Sequence, residues 1–129
     1  MPGPAGLGVS GLEDAGKSAY EAGEDASALG HHAHGGVGCI SVTANVAPRI
    51  CAEVQHAWRD GDMAKVMDLQ EKLMPLHEAL FCETSPGPVK YAASLLGKCR
   101  DEVRLPLCDI AEDSKQKVRD ALTTVGLLA

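Results

Sequence analysis

With 129 residues, 12 Lys and Arg against 18 Asp and Glu, and a formal charge of −6, the chain is long enough for one domain with a modest core. The mild acidic excess lacks the basic stripe that nucleic-acid binding needs. No run approaches the ~20 apolar residues of a membrane span.

The first residues have neither a basic start nor an apolar centre, which predicts no secretory signal. The cysteines (Cys39, Cys51, Cys82, Cys99 and Cys108) are odd in number and lack metal-type pair spacing. Cys39, Cys51 and Cys82 sit inside apolar patterns, where a cysteine packs as a small hydrophobe. A reduced, cytoplasmic protein is expected. Aromatic residues are scarce (Trp58, Tyr20, Tyr91 and Phe81), so the core must come from Leu, Val, Ile, Met and Ala.

Residues 1–22 are dominated by Gly, Pro, Ala and Ser. Such a segment buries too little to offset its ordering entropy, and disorder or weak order is expected there. Glu24 to Leu29 reads as a short helix stopped by Gly30. Val37 to Val42 is a continuous apolar run, which suits a strand covered on both faces. Gly35-Gly36-Val37-Gly38 precedes that strand; a phosphate-binding turn would follow it, so close packing is the better reading of these glycines.

Helices then take over. Pro48 fits a first helical position, with Ile50, Cys51, Val54 and Trp58 at helical spacing and a stop near Asp60-Gly61. Asp62 is a natural N-cap for a helix carrying Val66, Leu69, Leu73, Leu76 and Leu80, the cleanest amphipathic stripe of the chain. Pro75 inside it should kink it. After a break at Thr84 to Pro88, Pro88 opens a helix through Leu96, stopped by Gly97. Leu105-Pro106-Leu107 reads as an extended connector. A last helix runs from about Glu112 to Val125, with Val118, Leu122 and Val125 inward and Gly126 at its end. A lone buried-type strand among four or five helices is anomalous, because a parallel strand has ladder partners on both sides. The pattern points to a piece of a larger α/β architecture.

Four motifs occur in order: Cys39-Ile40-Ser41-Val42-Thr43-Ala44-Asn45-Val46 at the strand end, Leu73-Met74-Pro75-Leu76-His77 at the kink, Pro88-Val89-Lys90 at a helix start, and Arg104-Leu105-Pro106 in the connector. Together they closely resemble the C-terminal part of the dihydrodipicolinate synthases, now called 4-hydroxy-tetrahydrodipicolinate synthases. The resemblance runs from about Gly23 to Leu127. It implies a fold that is mostly α as it stands: the C-terminal fragment of a (β/α)8 TIM barrel plus the family's helical extension, where a whole barrel needs about 250 residues. Residues 1–22 would be a non-family segment. Residues 23–60 would close the barrel (end of strand 7, helix 7, strand 8, helix 8), and residues 61–129 would form the extension.

The resemblance also implies the family's chemistry, condensation of pyruvate with aspartate semialdehyde in lysine and diaminopimelate synthesis. A lysine forms a Schiff base with pyruvate, and the imine makes the methyl carbon acidic. The family lysine, and the tyrosine that relays protons, lie upstream of everything matched. Neither role transfers to Lys17 or Tyr20, so no catalytic residue is assigned. Two pyruvate-site positions carry over: Ile40, near the C-terminal end of the last strand, and Gly23. The resemblance implies no cofactor and no metal, and a homo-oligomer for the family. The chain alone is expected to be inactive, and to self-associate or need a partner; a truncated or frameshifted reading frame is the simplest source of such a chain. The alternative function is a helical interaction module, favoured by the Val66–Leu80 stripe and the uncovered strand.

Other residues invite sharper readings. His31, His32 and His34 could bind metal as a His-rich tract, but a solvated loop is the expectation. His77 should pack or hydrogen-bond beside the kink. Glu24 and Asp25 should cap a helix N-terminus. Lys90 stands in an early helical turn, which the dipole disfavours, and so hints at a specific contact. Ala111 precedes the last helix without a capping side chain, a loss of about 1 kcal/mol that Asp109 or Asp113 could make good.

Overall fold

The computed structural model describes residues 21–129. The chain divides into two compact units, one ending at Ser41 and one spanning Val42–Ala129. Residues 1–20, including Lys17 and Tyr20, lie outside the described residues.

The described part of the first unit is a βαβ arrangement: β1 (Glu21–Ala22), α1 (Ala28–Ala33) and β2 (Gly38–Cys39). The strands pair parallel, Glu21 with Gly38 and Ala22 with Cys39. Parallel neighbours need a crossover of a dozen or more residues, usually with a helix, and α1 supplies it. Three expectations are corrected here. The strand has a described partner, which sequence reading missed because Glu21-Ala22 carries no apolar run. The Val37–Val42 run is not all strand: the ladder covers Gly38–Cys39, and a 3-10 turn occupies Thr43–Asn45. It is not covered on both faces either, with Val37 52% and Ile40 70% exposed.

The helix expected over 24–29 sits later, at 28–33, and runs through Gly30. Its N-cap residue, Ser27, makes no side-chain cap; its hydroxyl donates to Glu24 at 2.9 Å. The glycines after α1 pack closely. Gly35 has φ of 95°, a left-handed conformation that favours glycine. A Cβ on Gly36 would lie 2.2 Å from His31 Cδ2 and 2.8 Å from its carbonyl oxygen.

The second unit is helical: α2 (Pro48–Asp60), α3 (Met63–Ala79), α4 (Gly87–Leu95) and α5 (Glu112–Thr124). Proline and glycine set most of the boundaries. Pro48 stands in the first turn of α2, and Gly61 ends it in the left-handed region. Asp62 caps α3, accepting from the Lys65 amide at 3.1 Å. Pro75 lies inside α3, which continues to Ala79. Gly97 (φ 68°) and Gly126 (φ 79°) follow α4 and α5. The 104–107 connector is a turn with a cis Leu105–Pro106 peptide rather than an extended segment, and Leu105 is 90% exposed.

The core of this unit gathers Val66, Leu73, Leu76, Leu80, Ala92, Val118 and Leu122, all at most 1% exposed. Each fully buried Leu or Val contributes about 1.5–3 kcal/mol relative to leaving it in water. The stripe expected on α3 is therefore the one that packs, apart from Leu69, which is only half-buried. Tyr91 is buried on α4, with Lys115 Nζ 5.8 Å and Arg119 Cζ 5.5 Å from its ring centroid, within reach of cation–π attraction.

Candidate functional site

Two parallel neighbouring strands bring their C-terminal ends side by side. Ala22 is in register with Cys39, so the next residue of each strand, Gly23 and Ile40, falls at the same level. The Ile40 amide donates to the Ala22 carbonyl at 2.7 Å and extends the ladder to that point. A Cβ on Gly23 would meet nothing within 4 Å, and the Ile40 side chain is 70% exposed. The structure thus brings the two sequence-selected positions together, and leaves the space beside both open among the described residues.

A polar contact stands just beyond them. Ser41 Oγ donates to the Asp25 carboxylate, and Asp25 is only 5% exposed. This link ties the exit of β1 to the exit of β2. Sequence reading assigned Asp25 to helix capping. Ser41 lies 16 residues away, and no periodicity connects the two, so nothing in the sequence pointed to this contact.

The histidine cluster is not a solvated loop. His31 and His32 belong to α1, and His32 is buried. His32 Nδ1 lies 3.2 Å from the Gly36 carbonyl and His34 Nδ1 lies 2.7 Å from that of Gly30. These rings fasten the α1–β2 connection to itself. Among the described residues, no group of three His, Cys, Asp or Glu is placed to hold a metal ion.

The second unit holds three polar anchors. Thr43 Oγ1 and His77 Nδ1 are 2.7 Å apart and both residues are buried, the hydrogen-bonding role expected of His77. Lys90 Nζ donates to the Glu102 carbonyl and secures the 98–107 connector to α4. At α5, Glu83 supplies the cap that Ala111 lacks: its carboxylate accepts from the Ala111 amide at 2.9 Å. Hydrogen bonds from the Ser114 side chain and then from that amide hold the Glu83 carboxyl below the ordinary glutamate range. Asp109 and Asp113 were the expected substitutes; the cap comes instead from a residue 28 positions away. No helix is long and apolar enough to cross a membrane among the described residues.

A parallel βαβ piece with its polar groups at the strand exits, followed by packed helices, places the chain in the α/β class. The sequence matches the dihydrodipicolinate synthetase family over residues 15–125, and the chain belongs to that family. It is 58% identical over 106 residues to a 4-hydroxy-tetrahydrodipicolinate synthase of Gluconacetobacter diazotrophicus, covering 82% of this chain and 36% of that protein. It is 59% identical to the corresponding protein of Rhodospirillum centenum, with the same coverage. Among solved structures, dihydrodipicolinate synthase of Thermotoga maritima superposes with a TM-score of 0.80 at 40% identity, over 82% of this chain and 36% of that one. The chloride-inhibited enzyme of Acinetobacter baumannii, solved with pyruvate, gives 0.78 at 37%, over 84% and 37%. These neighbours are TIM barrels, so the fold is a mostly helical portion of a (β/α)8 architecture. The chain spans 36% of the length of the curated relatives it matches first.

Proposed function

We propose that this chain carries the closing β/α portion and the helical C-terminal extension of a 4-hydroxy-tetrahydrodipicolinate synthase. Residues 23–60 would close the barrel and residues 61–129 would form the extension. The family reaction condenses pyruvate with aspartate semialdehyde through a lysine Schiff base. In this reading Ile40 and Gly23 line the pyruvate pocket. Ile40 offers a backbone edge and an apolar wall, and Gly23 leaves room where a side chain would intrude. The single observation behind the proposal is the parallel register that puts these two residues level at the C-terminal strand ends, the face where barrels of this type do their chemistry. The reading needs no cofactor or metal. It places the protein in a reducing cytoplasm, in keeping with free thiols at Cys82, Cys99 and Cys108.

The 129-residue polypeptide by itself does not carry out the condensation. All lysines among the described residues (Lys65, Lys72, Lys90, Lys98, Lys115 and Lys117) lie on the second unit's helices and connectors. None stands at a strand end, where an imine-forming amine must meet pyruvate. Borohydride reduction in the presence of pyruvate, followed by mass spectrometry, tests this. No adduct is expected; a stable adduct on Lys17 would overturn it.

A second reading, a helical module that associates with itself or with a partner, is favoured by the exposure of Val37, Ile40, Met67 and Phe81. Size-exclusion chromatography with light scattering separates the two, since a well-behaved monomer counts against association.

A further inference from the structure

Helix α3 carries a second, methionine-rich stripe beside the one that forms the core. Met63, Met67, Gln70 and Met74 advance by four, three and four residues, the spacing of a coiled-coil seam. Met63 is 43% and Met67 63% exposed, whereas Val66, Leu73 and Leu76 of the core stripe are buried. The exposed stripe borders a groove of 480 Å³ lined by Met67, Gln70, Glu71, Met74, Pro75 and Glu78. Methionine is flexible and polarisable, and recurs on surfaces that receive apolar helix faces.

Charge decides what fits. One flank of the stripe turns into the core through Val66 and Leu73. The other presents Glu71 and Glu78, the positions that set partner choice beside such a seam. A second copy paired through this face would be related by a two-fold axis. In an antiparallel pair that arrangement would bring Glu71 and Glu78 of both copies to the same joint, a like-charge contact that selects against self-pairing.

We propose that this face of α3 docks an amphipathic helix of another protein, one with an apolar seam flanked by Lys or Arg. The proposal goes beyond the barrel reading and does not depend on the pyruvate site.

Two fluorescein-labelled synthetic helices with identical leucine seams, one with lysine flanks and one with glutamate flanks, provide the test by fluorescence anisotropy on the full chain. The lysine-flanked helix should bind at least about tenfold more tightly, and that preference should shrink with added salt. Met67→Glu should abolish binding while leaving the far-UV circular dichroism unchanged, because Met67 is largely exposed. Glu71→Gln with Glu78→Gln should remove the preference and keep the fold. Equal affinity for the two helices would overturn the proposal, as would no binding of either, or binding that survives Met67→Glu. A dimer seen by light scattering and dissolved by Met67→Glu would instead make a second copy the occupant.

Discussion

Replacing Thr43 by Val removes one oxygen from a wholly buried position and keeps the side chain's shape. Thr43 is 0% and His77 5% exposed, with Oγ1 and Nδ1 2.7 Å apart. The hydroxyl can donate or accept, so the contact holds for either histidine tautomer. A buried polar group that loses its partner costs about 1–3 kcal/mol. With a urea m-value of about 1–3 kcal/mol/M for a small protein, a loss of ~2 kcal/mol lowers the midpoint by roughly 1 M. Urea titration followed by far-UV circular dichroism measures it. Thr43→Ser is the control: it keeps the hydroxyl and removes one methyl, worth about 0.8 kcal/mol. The expected order of stability is therefore wild type, then Thr43→Ser, then Thr43→Val. A Thr43→Val midpoint indistinguishable from wild type, or a Thr43→Ser chain less stable than Thr43→Val, would refute the hydrogen-bond account.

Glu83 gives a prediction in pH. Its carboxyl is held below the ordinary value of 4.5 by Ser114 and the Ala111 amide. A depressed folded-state value contributes stability above the unfolded value that is lost as pH falls through the folded one. In urea midpoints measured from neutral pH downward, Glu83→Gln should therefore flatten the acid limb below pH 4.5; an unchanged limb would contradict the capping role. Gly36→Ala would set a Cβ 2.2 Å from the His31 ring and 2.8 Å from its backbone oxygen. Overpacking of this kind costs about 1–3 kcal/mol, and it should appear as lost amide-exchange protection across α1 with α2–α5 unaffected.

Much of the helical unit was legible in the sequence because its signals are local. Pro48, Asp62, Pro88, Gly97 and Gly126 mark boundaries where the structure has them, and the α3 stripe is the one that packs. The first unit carries weaker local signals. Ala28-Leu29-Gly30-His31 lacks a helical apolar period, so the sequence pattern points to a helix earlier than α1. Glu21-Ala22 pairs through its backbone, which leaves no trace in side-chain pattern. Ile40 looked like a covered strand residue because an apolar run does not reveal how many neighbours the strand has. At the candidate site, Gly23 and Ile40 were reached through family resemblance and then found level with each other. The Asp25–Ser41 link and the Glu83 cap join residues distant in sequence, and only the folded chain discloses them.

The most direct test of the account is a chimera. Residues 23–129 of this chain would replace the matching C-terminal third of the Gluconacetobacter diazotrophicus synthase, and condensation of pyruvate with aspartate semialdehyde would be measured. The account predicts an active chimera in which Ile40→Asp raises the KM for pyruvate at least about tenfold, since the new carboxylate would face an anionic substrate. A folded chimera that traps pyruvate on borohydride reduction with an affinity indifferent to Ile40→Asp would contradict it.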